Sequence, residues 1–323
     1  MHILVIGAGG MVGQKLIARL SAGALPVTRL TRHDIVLPPP PPASSFPVET
    51  FVSDMSMPGE AEKLVALKPD LIFHLAAIVS GEAEADFEKG YRINLDGTRY
   101  LFEAIRKAGG GYKPKVVFTS SIAVFGAPFP DAIGDEFFTT PLTSYGTQKA
   151  ICELLLNDYS RRGFFDGIAL RFPTICVRPG KPNKAASGFF SGIIREPLSG
   201  QEAILPVGED VRHWHASPRA AIDFLIQAAE LDTAKLGNRR TLALPGVSCT
   251  VGEQIAALKR VAGEKVASLI RRQPDETIMK IVAGWPRNFD PKRAIALGFK
   301  AEKSFDDIIR VHIEDELGGK IPG

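Results

Sequence analysis

The sequence predicts an α/β fold, a doubly wound parallel sheet with a smaller, mixed C-terminal lobe. Three observations predict it. Short runs rich in valine, isoleucine, leucine and phenylalanine alternate with longer stretches of helical periodicity through the first half of the chain. A glycine-rich loop follows the first of these runs directly. After residue 172 prolines and glycines crowd the sequence, so the alternation ends there and the second lobe begins.

The first half contains the elements of the sheet and its covering helices. Predicted strands lie at residues 2–7, 27–33, 48–53, 70–75, 116–121 and 167–172. Predicted helices lie between them at residues 11–21, 60–67, 91–108 and 144–162. The proline run at residues 38–42 removes backbone donors and favours an extended chain, so it predicts a surface connection between two strands.

The second half is predicted to be mostly helical, with helices at residues 251–262 and 305–316. A strand near residues 240–244 is predicted to return to the sheet. We therefore expect a cofactor-binding domain at residues 1–172, with a return segment near 211–245. A substrate-binding lobe is expected at residues 173–210 and 246–300.

Composition and charge narrow the function classes. The chain has 323 residues, of which 45% are hydrophobic and 23% charged, as in ordinary globular proteins. The net charge of +3 disfavours a dedicated nucleic-acid-binding protein, which usually carries a clustered basic face. No apolar run is long enough to span a membrane, and the first residues lack a signal-peptide pattern. We expect a cytoplasmic protein without a nucleic-acid or membrane partner.

Cysteines and histidines give no indication of a metal site. Cys152, Cys176 and Cys249 are isolated in the sequence, which predicts buried, unpaired thiols rather than a disulfide framework or structural zinc. His213 and His215 form a His-x-His pair without a further ligand cluster. We therefore expect a structural or substrate-lining role for the two histidines, and no metal.

The glycine loop predicts a dinucleotide-binding Rossmann domain. Gly7, Gly10 and Gly13 stand three residues apart between the first strand and the first helix. In this pattern the first glycine permits a tight turn, the second lets a pyrophosphate approach, and the third lets the helix pack on the sheet. The helix N-terminus then supplies amide donors to the pyrophosphate.

Two acidic residues bear on the identity of the cofactor. Asp34 lies 21 residues after Gly13 (34 − 13), where a carboxylate accepts hydrogen bonds from ribose hydroxyls and repels a 2′-phosphate. Asp34 therefore favours NAD, although the nearby Arg29 and Arg32 leave NADP open. Asp54 closes the third strand and is a candidate for the adenine amino group or, alternatively, for a turn cap.

A tyrosine–lysine pair is the candidate catalytic centre. Tyr145 and Lys149 are four residues apart at the start of a predicted helix, so they share one face. An ammonium beside a phenol stabilises the phenolate, which can then take a proton from a substrate alcohol. The predicted strand at 116–121 ends in Thr119, Ser120 and Ser121 at the sheet edge where ligands bind, and a hydroxyl there can orient the reacting group.

These residues resemble the extended short-chain dehydrogenases/reductases, the NAD-dependent epimerase/dehydratase family. The resemblance covers residues 1–172 and rests on Gly7-x-x-Gly10-x-x-Gly13, Asp54, His74-Leu75-Ala76-Ala77, Asn94-Leu95-Asp96-Gly97-Thr98, residues 120–126 and Tyr145-Gly146-Thr147-Gln148-Lys149. It implies a catalytic triad of Ser121, Tyr145 and Lys149. It also implies a homodimer formed through the helices at 91–108 and 144–162.

The same resemblance implies which residues bind the cofactor. Met11 and Val12 would contact the pyrophosphate, and Lys149 would also bind the nicotinamide ribose. The residues that would line the rest of the cofactor are Leu75, Ala76, Ala77, Asn94, Phe172, Pro173 and Thr174.

Longer stretches at residues 74–87, 178–187 and 191–198 resemble one branch of this family, the D-erythronate dehydrogenases. That resemblance implies NAD-linked oxidation of the C2 hydroxyl of a small sugar acid. Candidate residues for holding the sugar acid are Ser80, Ser121, Tyr145, Arg178 and Lys184, since arginine suits a planar carboxylate. The loop that carries Arg178 and Lys184 reads equally as a solvated basic loop.

Two other functions remain open from the sequence. A nucleotide-sugar epimerase or dehydratase would use the same triad and return the hydride to its substrate. Residues 212–219, however, depart from the Arg-Asp-aromatic-Ile-His-Val segment common in members that bind nucleotide sugars. A non-catalytic dinucleotide sensor is the other alternative, although a sensor needs neither Tyr145 nor Lys149.

Overall fold

The computed structural model describes residues 1–180 and 186–321, and within them the chain forms two compact units. The first unit comprises Met1–Val124, Thr143–Arg171 and Ile222–Leu242. The second comprises Phe125–Leu142, Phe172–Ala221 and Ala243–Gly323. Lys184, one of the candidate substrate residues, lies outside the described residues.

Strands and helices alternate through the first part of the chain. The strands are β1 His2–Ile6, β2 Arg29–Asp34, β3 Val48–Val52, β4 Leu71–His74, β5 Lys115–Ser121, β6 Ile133–Gly134, β7 Asp166–Phe172, β8 Thr174–Ile175, β9 Ala203–Leu205, β10 Arg212–Ala216, β11 Thr241–Ala243, β12 Val247–Thr250, β13 Ile270–Arg272 and β14 Phe289–Asp290. The α-helices are α1 Met11–Ser21, α2 Glu60–Ala66, α3 Ser80–Ala85, α4 Phe87–Gly90, α5 Gly97–Ala108, α6 Ser144–Arg161, α7 Gly188–Leu198, α8 Pro218–Glu230, α9 Val251–Ala262, α10 Glu264–Ala267, α11 Glu276–Ala283, α12 Lys292–Ala296 and α13 Phe305–Glu316. Short 3₁₀ turns occupy Ile122–Val124 and Thr233–Leu236.

The seven-stranded sheet has the order β11-β7-β5-β4-β1-β2-β3. The pairs β1–β2, β2–β3, β1–β4 and β4–β5 are parallel. The strand order reverses between β1 and β4, which is where doubly wound sheets bind ligands beyond the carboxyl ends of their strands. This sheet confirms the predicted α/β fold class.

The sheet is buried because its central strands are apolar along their whole length. Ile3, Leu4, Val5 and Ile6 of β1 are all fully buried. A hydrophobic cluster joins side chains of β1, β4 and β5 to those of α2, α5 and α6. A continuous apolar strand of this kind needs a cover on both faces, which helices on both sides of a parallel sheet provide.

The strands and helices predicted in the first half are observed within a few residues of their predicted bounds, whereas α3, α4, α7 and α8 were not predicted. The predicted helix at 91–108 is split into a π-helical segment, Tyr91–Asp96, and α5. Within the π segment the Asn94 carbonyl accepts hydrogen bonds from the Thr98 hydroxyl at 2.7 Å and the Cys152 thiol at 3.3 Å. Apolar periodicity reports which face is buried, but it does not reveal this local widening.

The second unit contains three small sheets. β10 pairs with β12 antiparallel and with β8 in parallel. β9 pairs with β13, and β6 pairs with β14, both in parallel. A separate hydrophobic cluster joins side chains of α7, α9 and α13, and it includes Cys176 and Cys249.

The three cysteines and the two histidines of the His-x-His pair lie in the interior of the protein. All three cysteines are free and buried, as predicted. His213 and His215 are also buried. His213 lies within hydrogen-bond distance of the Thr174 hydroxyl and the Pro286 carbonyl, and His215 lies 2.8 Å from Gln254. These contacts give the pair a structural role. Among the described residues, no helix is long and apolar enough to span a membrane.

Candidate active site

The glycine loop leaves β1 and enters α1 through contacts that only glycine allows. Gly7 has φ +91°, and a Cβ on it would lie 2.7 Å from the Ala76 backbone nitrogen. A Cβ on Gly13 would lie 2.2 Å from the Gly7 carbonyl oxygen. Gly10, at the N-cap of α1, has no side chain with which to cap the helix. The first-turn amides, which begin at Met11 and Val12, therefore remain available for an anion such as pyrophosphate.

Asp34 ends β2 beside this loop. Its Oδ2 accepts a hydrogen bond from the Gly9 amide at 2.8 Å, so the carboxylate is fixed at the rim of the glycine turn. Arg29 and Arg32, the two cations that left NADP open as an alternative cofactor, both have partners within the protein. Arg29 pairs with Glu49 at 2.7 Å. Arg32 is buried and donates to the Pro39 carbonyl at 2.7 Å, which ties the proline-rich connection to the sheet. Because both cations are paired elsewhere, the negative charge of Asp34 determines the electrostatic character of this rim.

Asp54 follows β3 and is held by two neighbours. Its Oδ1 accepts hydrogen bonds from the Ser56 amide at 2.9 Å and the Ser56 hydroxyl at 2.5 Å. Its Oδ2 pairs with Arg92 at 2.7 Å. Burial acts to raise the pKa of this carboxyl, but the hydrogen bonds from Ser56 and Arg92 outweigh it and leave the pKa below its usual value. The structure thus shows the turn-capping arrangement that the sequence offered as an alternative.

The loop after β4 is pinned from the π-helical segment. The Ile78 amide donates to Asn94 Oδ1 at 2.9 Å, and Asn94 Nδ2 donates to Gln148 Oε1 at 2.7 Å. Asn94 therefore connects this loop to α6. Leu75 and Ala76 back the glycine turn, because their backbone atoms are those that a Cβ on Gly7 would strike.

Tyr145 stands in the first turn of α6, and its hydroxyl is hydrogen-bonded to Ser121 at the end of β5. Removal of the phenol from water raises its pKa to about 12, and the bond with Ser121 opposes that rise. Ser121 Oγ also accepts from the Ala123 amide at 3.1 Å, which fixes the serine rotamer. The predicted serine and tyrosine therefore meet, and in this state the phenol keeps its proton.

Lys149 is one turn further along α6 and is only 2% exposed. Its Nζ donates to the Thr119 carbonyl at 2.8 Å and lies 5.8 Å from the Tyr145 ring centroid. Burial lowers the pKa of this ammonium to about 8, while the neighbouring Cys152 and Glu153 act in the opposite direction. Lysine and tyrosine thus share one helix face, as their spacing predicts, with the ammonium anchored on β5.

A buried ion pair beneath this site was not identified from the sequence. Glu153 accepts from the Ser120 hydroxyl at 2.5 Å and from Arg171 Nη2 at 2.7 Å. The sequence signal that could have identified Glu153 is its spacing, four residues after Lys149. Its partner on β7 could not be inferred from local pattern.

His74, at the end of β4, is also buried at the sheet edge. Burial, together with Lys149 and His33, lowers the pKa of its imidazole to about 3. Thr98 donates its hydroxyl hydrogen to Asn94, so it accepts from His74 Nε2 at 2.8 Å. The imidazole is therefore neutral, with its proton on Nε2.

The second unit carries the remaining predicted residues. Phe172 and Pro173 are buried, and the Thr174 hydroxyl bonds to His213 at 2.7 Å. Arg178 is half-buried, and its Nη2 donates to the Ser187 hydroxyl at 3.2 Å. Burial lowers the pKa of this guanidinium, and Arg195 adds to the effect. No salt bridge joins Arg178 to a carboxylate within residues 1–180 and 186–321.

Ser80 begins α3, and the two glutamates of this helix, Glu82 and Glu84, both have partners within the protein. Glu82 pairs with Lys89 at 2.6 Å. Glu84 accepts a hydrogen bond from the Ser144 amide at 2.6 Å and so caps the N-terminus of α6. The negative charge of Glu82 is therefore paired with the Lys89 ammonium.

Comparisons with known proteins identify the family of the chain. The model of the NAD dependent epimerase/dehydratase family matches residues 3–225. A D-erythronate dehydrogenase from Cupriavidus necator is 46% identical, with 98% of each chain covered. One from Haemophilus influenzae is 43% identical, covering 98% of this chain and 100% of that protein. A crystal structure described as the nucleoside-diphosphate-sugar epimerase from Agrobacterium tumefaciens is 66% identical with TM-score 0.97, covering 100% of this chain and 96% of that one.

These findings confirm the family and the branch that the motifs predicted, and NAD as the cofactor of the family. The chain belongs to the NAD-dependent epimerase/dehydratase family.

Proposed function

We propose that the protein oxidises the C2 hydroxyl of D-erythronate to 2-oxo-D-erythronate with NAD. The observation that carries the proposal is the grouping of Ser121, Tyr145 and Lys149 at the carboxyl end of β5. The names of the Cupriavidus necator and Haemophilus influenzae relatives support the choice of substrate. The same proposal places the enzyme in the cytoplasm, where unpaired thiols such as Cys152 stay reduced.

The proposed mechanism assigns one task to each residue of the triad. NAD, when bound, supplies the acceptor for the hydride that leaves C2. Ser121 orients the substrate hydroxyl by hydrogen bonding. Tyr145, as the phenolate, takes the hydroxyl proton while the C2–O bond becomes a carbonyl. Lys149 stabilises that phenolate and binds the nicotinamide ribose.

We assign cofactor binding mainly to the first unit. An added Cβ at Gly7 or Gly13 would strike backbone atoms, so the turn is tight and α1 packs closely on it, as a dinucleotide-binding loop requires, while Gly10 presents no side chain to a pyrophosphate. The residues we propose for the cofactor are those that the family resemblance and the glycine pattern predict: Gly7, Gly10, Met11, Val12, Gly13, Asp34, Asp54, Leu75, Ala76, Ala77, Asn94, Tyr145, Lys149, Phe172, Pro173 and Thr174.

Replacing Asp34 with alanine should lower the preference for NAD over NADP. The variant loses the acceptor for the ribose hydroxyls and the charge that repels a 2′-phosphate, so the ratio of kcat/KM values should fall about 10- to 100-fold. Steady-state kinetics with both cofactors measures the ratio. Asp34→Asn is the matched control for the Gly9 contact, because its amide oxygen can still accept that hydrogen bond. An unchanged ratio in Asp34→Ala would show that Asp34 does not set cofactor choice.

The substrate carboxylate is assigned to Arg178 in the second unit, with Lys184 and Ser80 as further candidates. Arg178 is half-buried and forms no salt bridge with any described carboxylate. The guanidinium of Arg178 has already lost part of its hydration through burial. Binding a substrate carboxylate through two hydrogen bonds would therefore be favourable.

Arg178→Met should therefore raise KM for D-erythronate about 10- to 100-fold, with KM for NAD changed little. Arg178→Lys should recover part of the loss, since it restores the charge without the planar fork. Arg271→Met is a control, because this cation of the same unit is exposed and already paired with Glu202 at 2.7 Å. Equal KM values for Arg178→Met and the unaltered protein would exclude the assignment.

A substrate panel tests the function itself. Purified protein is incubated with NAD and each four-carbon sugar acid, and NADH formation is followed by absorbance. We expect turnover with D-erythronate. Absence of NADH with every sugar acid, together with conversion of UDP- or dTDP-sugars without net NADH, would instead establish an epimerase or dehydratase.

Two contacts of Arg212 argue against nucleotide-sugar chemistry despite the description of the Agrobacterium tumefaciens structure. Arg212 is the first residue of the stretch 212–219, which departs from the segment common in members that bind nucleotide sugars. It pairs with Glu253 at 3.1 Å and donates to the Ser248 carbonyl at 3.2 Å. A guanidinium engaged in this way is a poor ligand for a diphosphate. The sensor alternative is disfavoured by the contact between Tyr145 and Ser121, which a binding protein does not require.

We further propose that the protein is a homodimer formed through α5 and α6. Leu154 on α6 is 70% exposed. Its burial against the corresponding helix of a second subunit would be favourable. Leu154→Arg should shift the protein from dimer to monomer in sedimentation velocity. Leu142→Arg, at an exposed leucine outside both helices, should leave the dimer intact. A monomeric unaltered protein would contradict the proposal.

A further inference from the structure

Three side chains on α6 contact the last three residues of β5. Tyr145, Lys149 and Glu153 follow one another at intervals of four residues, so they lie along one helix face. Tyr145 bonds to Ser121, Lys149 Nζ donates to the Thr119 carbonyl at 2.8 Å, and Glu153 Oε1 accepts from Ser120 at 2.5 Å. The proposed mechanism uses the first two of these side chains. It leaves the third, Glu153, without a role.

Glu153 is itself fixed from a second strand. Arg171 on β7 donates to Oε2 through Nη2 at 2.7 Å and to Oε1 through Nε at 3.0 Å. The side chains of Glu153 and Arg171 are 5% and 14% exposed. A bidentate pair in such surroundings has little freedom. The carboxylate is therefore a rigid point that joins α6 to the ends of β5 and β7.

The carboxylate also contributes to the charge around Lys149. The titratable groups that act on this lysine from the packed elements are Tyr145, Cys152 and Glu153 on α6 and His74 on β4, with Arg171 paired behind Glu153. Of these, His74 is neutral, since its pKa is lowered to about 3, and burial raises the pKa of Cys152 to about 11. Cys152 and Glu153 both act against the effect of burial on the pKa of Lys149, and Glu153 is the carboxyl group of the two.

We propose that Glu153, held by Arg171, is a positioning residue that locks the end of β5 onto α6 and so keeps the Ser121 hydroxyl and the Lys149 ammonium in place around Tyr145. Ser120 is the link: its hydroxyl is tied to Glu153, and its backbone continues directly into Ser121. The role rests on the proposed Ser/Tyr/Lys chemistry, but it requires no particular alcohol as substrate.

Glu153→Gln is the first test, with Asp158→Asn as the matched control. Asp158 lies on the same helix, but its ion pair with Arg161 is exposed and does not involve β5. For Glu153→Gln we expect kcat to fall about 10- to 100-fold, with KM for NAD within about threefold. We also expect the alkaline limb of the kcat profile to move to lower pH, because the lysine loses its neighbouring anion. Asp158→Asn should leave both quantities unchanged.

Two further variants keep the test decisive if Glu153→Gln folds poorly. Glu153→Asp retains the charge and should keep the alkaline limb in place while losing part of kcat. Glu153→Gln combined with Arg171→Met removes both partners, so no unpaired guanidinium remains buried. An unchanged kcat and pH profile in a folded Glu153 variant would overturn the proposal. So would a lower kcat that tracks a lower Tm while the alkaline limb stays where it was.

A measurement without substrate separates this proposal from the proposed function. The Lys149 signal of lysine-labelled protein, assigned by comparison with Lys149→Met, is titrated by NMR in the unaltered protein and in Glu153→Gln. A midpoint shifted to lower pH in Glu153→Gln supports the role of Glu153 even if D-erythronate is not turned over. Identical midpoints contradict the charge effect even if the sugar acid is oxidised.

Discussion

Replacing Tyr145 with phenylalanine is expected to lower kcat for D-erythronate oxidation by about 10²–10⁴-fold, the usual cost of losing a general base. The phenol is hydrogen-bonded to Ser121 at the end of β5 and stands one helical turn from Lys149. Phenylalanine keeps the ring and removes only the atom that receives the proton. The rate with NAD, followed as NADH absorbance, measures the effect.

Tyr159→Phe is the matched control for Tyr145→Phe. It makes the same change on the same helix, at a hydroxyl that donates to Glu103 rather than facing the reacting edge. Its activity should stay within about twofold of the unaltered protein. NAD affinity of Tyr145→Phe, measured by calorimetry, should fall only slightly. If Tyr145→Phe retained full activity, the assignment of the general base would be wrong.

The parts of this site that follow from the sequence are those set by local spacing. Gly7 was predicted because the turn after β1 is tight, and Gly13 because α1 packs closely on the sheet; an added Cβ would lie 2.7 and 2.2 Å from backbone atoms. Tyr145 and Lys149 share a helix face because an interval of four residues is close to one helical turn. Both predictions need only the element type and the order along the chain.

Contacts between elements were harder to predict. The pair formed by Glu153 and Arg171 joins α6 to β7, and nothing in either segment alone specifies the partner. Arg29 and Arg32 were read as possible phosphate ligands, but strand pairing places Glu49 beside the first, and the proline-rich connection returns over the second. Such partners depend on sheet order and on loop paths, which sequence pattern does not determine.

The protonation states of Tyr145 and Lys149 are a further property of the site that the sequence could not predict. The sequence predicts that Lys149 lowers the pKa of Tyr145, and spacing places the two correctly. In the structure, burial raises the pKa of Tyr145 to about 12 and lowers that of Lys149 to about 8. Desolvation opposes both charged forms. The Lys149 ammonium is therefore the charge by which the chain itself can offset the cost of forming the phenolate.

Lys149→Met gives the sharpest test of that contribution. Methionine fills a similar volume, so the buried site should stay packed while the ammonium and its bond to the Thr119 carbonyl are lost. We expect kcat to fall about 10²–10⁴-fold at neutral pH, because the phenolate loses its stabilising charge. KM for NAD should also rise, since the proposed ribose contact is lost.

The pH dependence of Lys149→Met has a definite sign. Alcohol oxidation needs deprotonated Tyr145, so the rate rises with pH until the phenol has titrated. Loss of a nearby cation raises the pKa of a phenol, so the acid limb of kcat/KM should move to higher pH in the variant. Lys107→Met, at an exposed lysine on α5, should leave the limb in place. If the limb of Lys149→Met did not move while its rate fell, Lys149 would act through cofactor binding alone, and the activation of Tyr145 would have to come from elsewhere in the site.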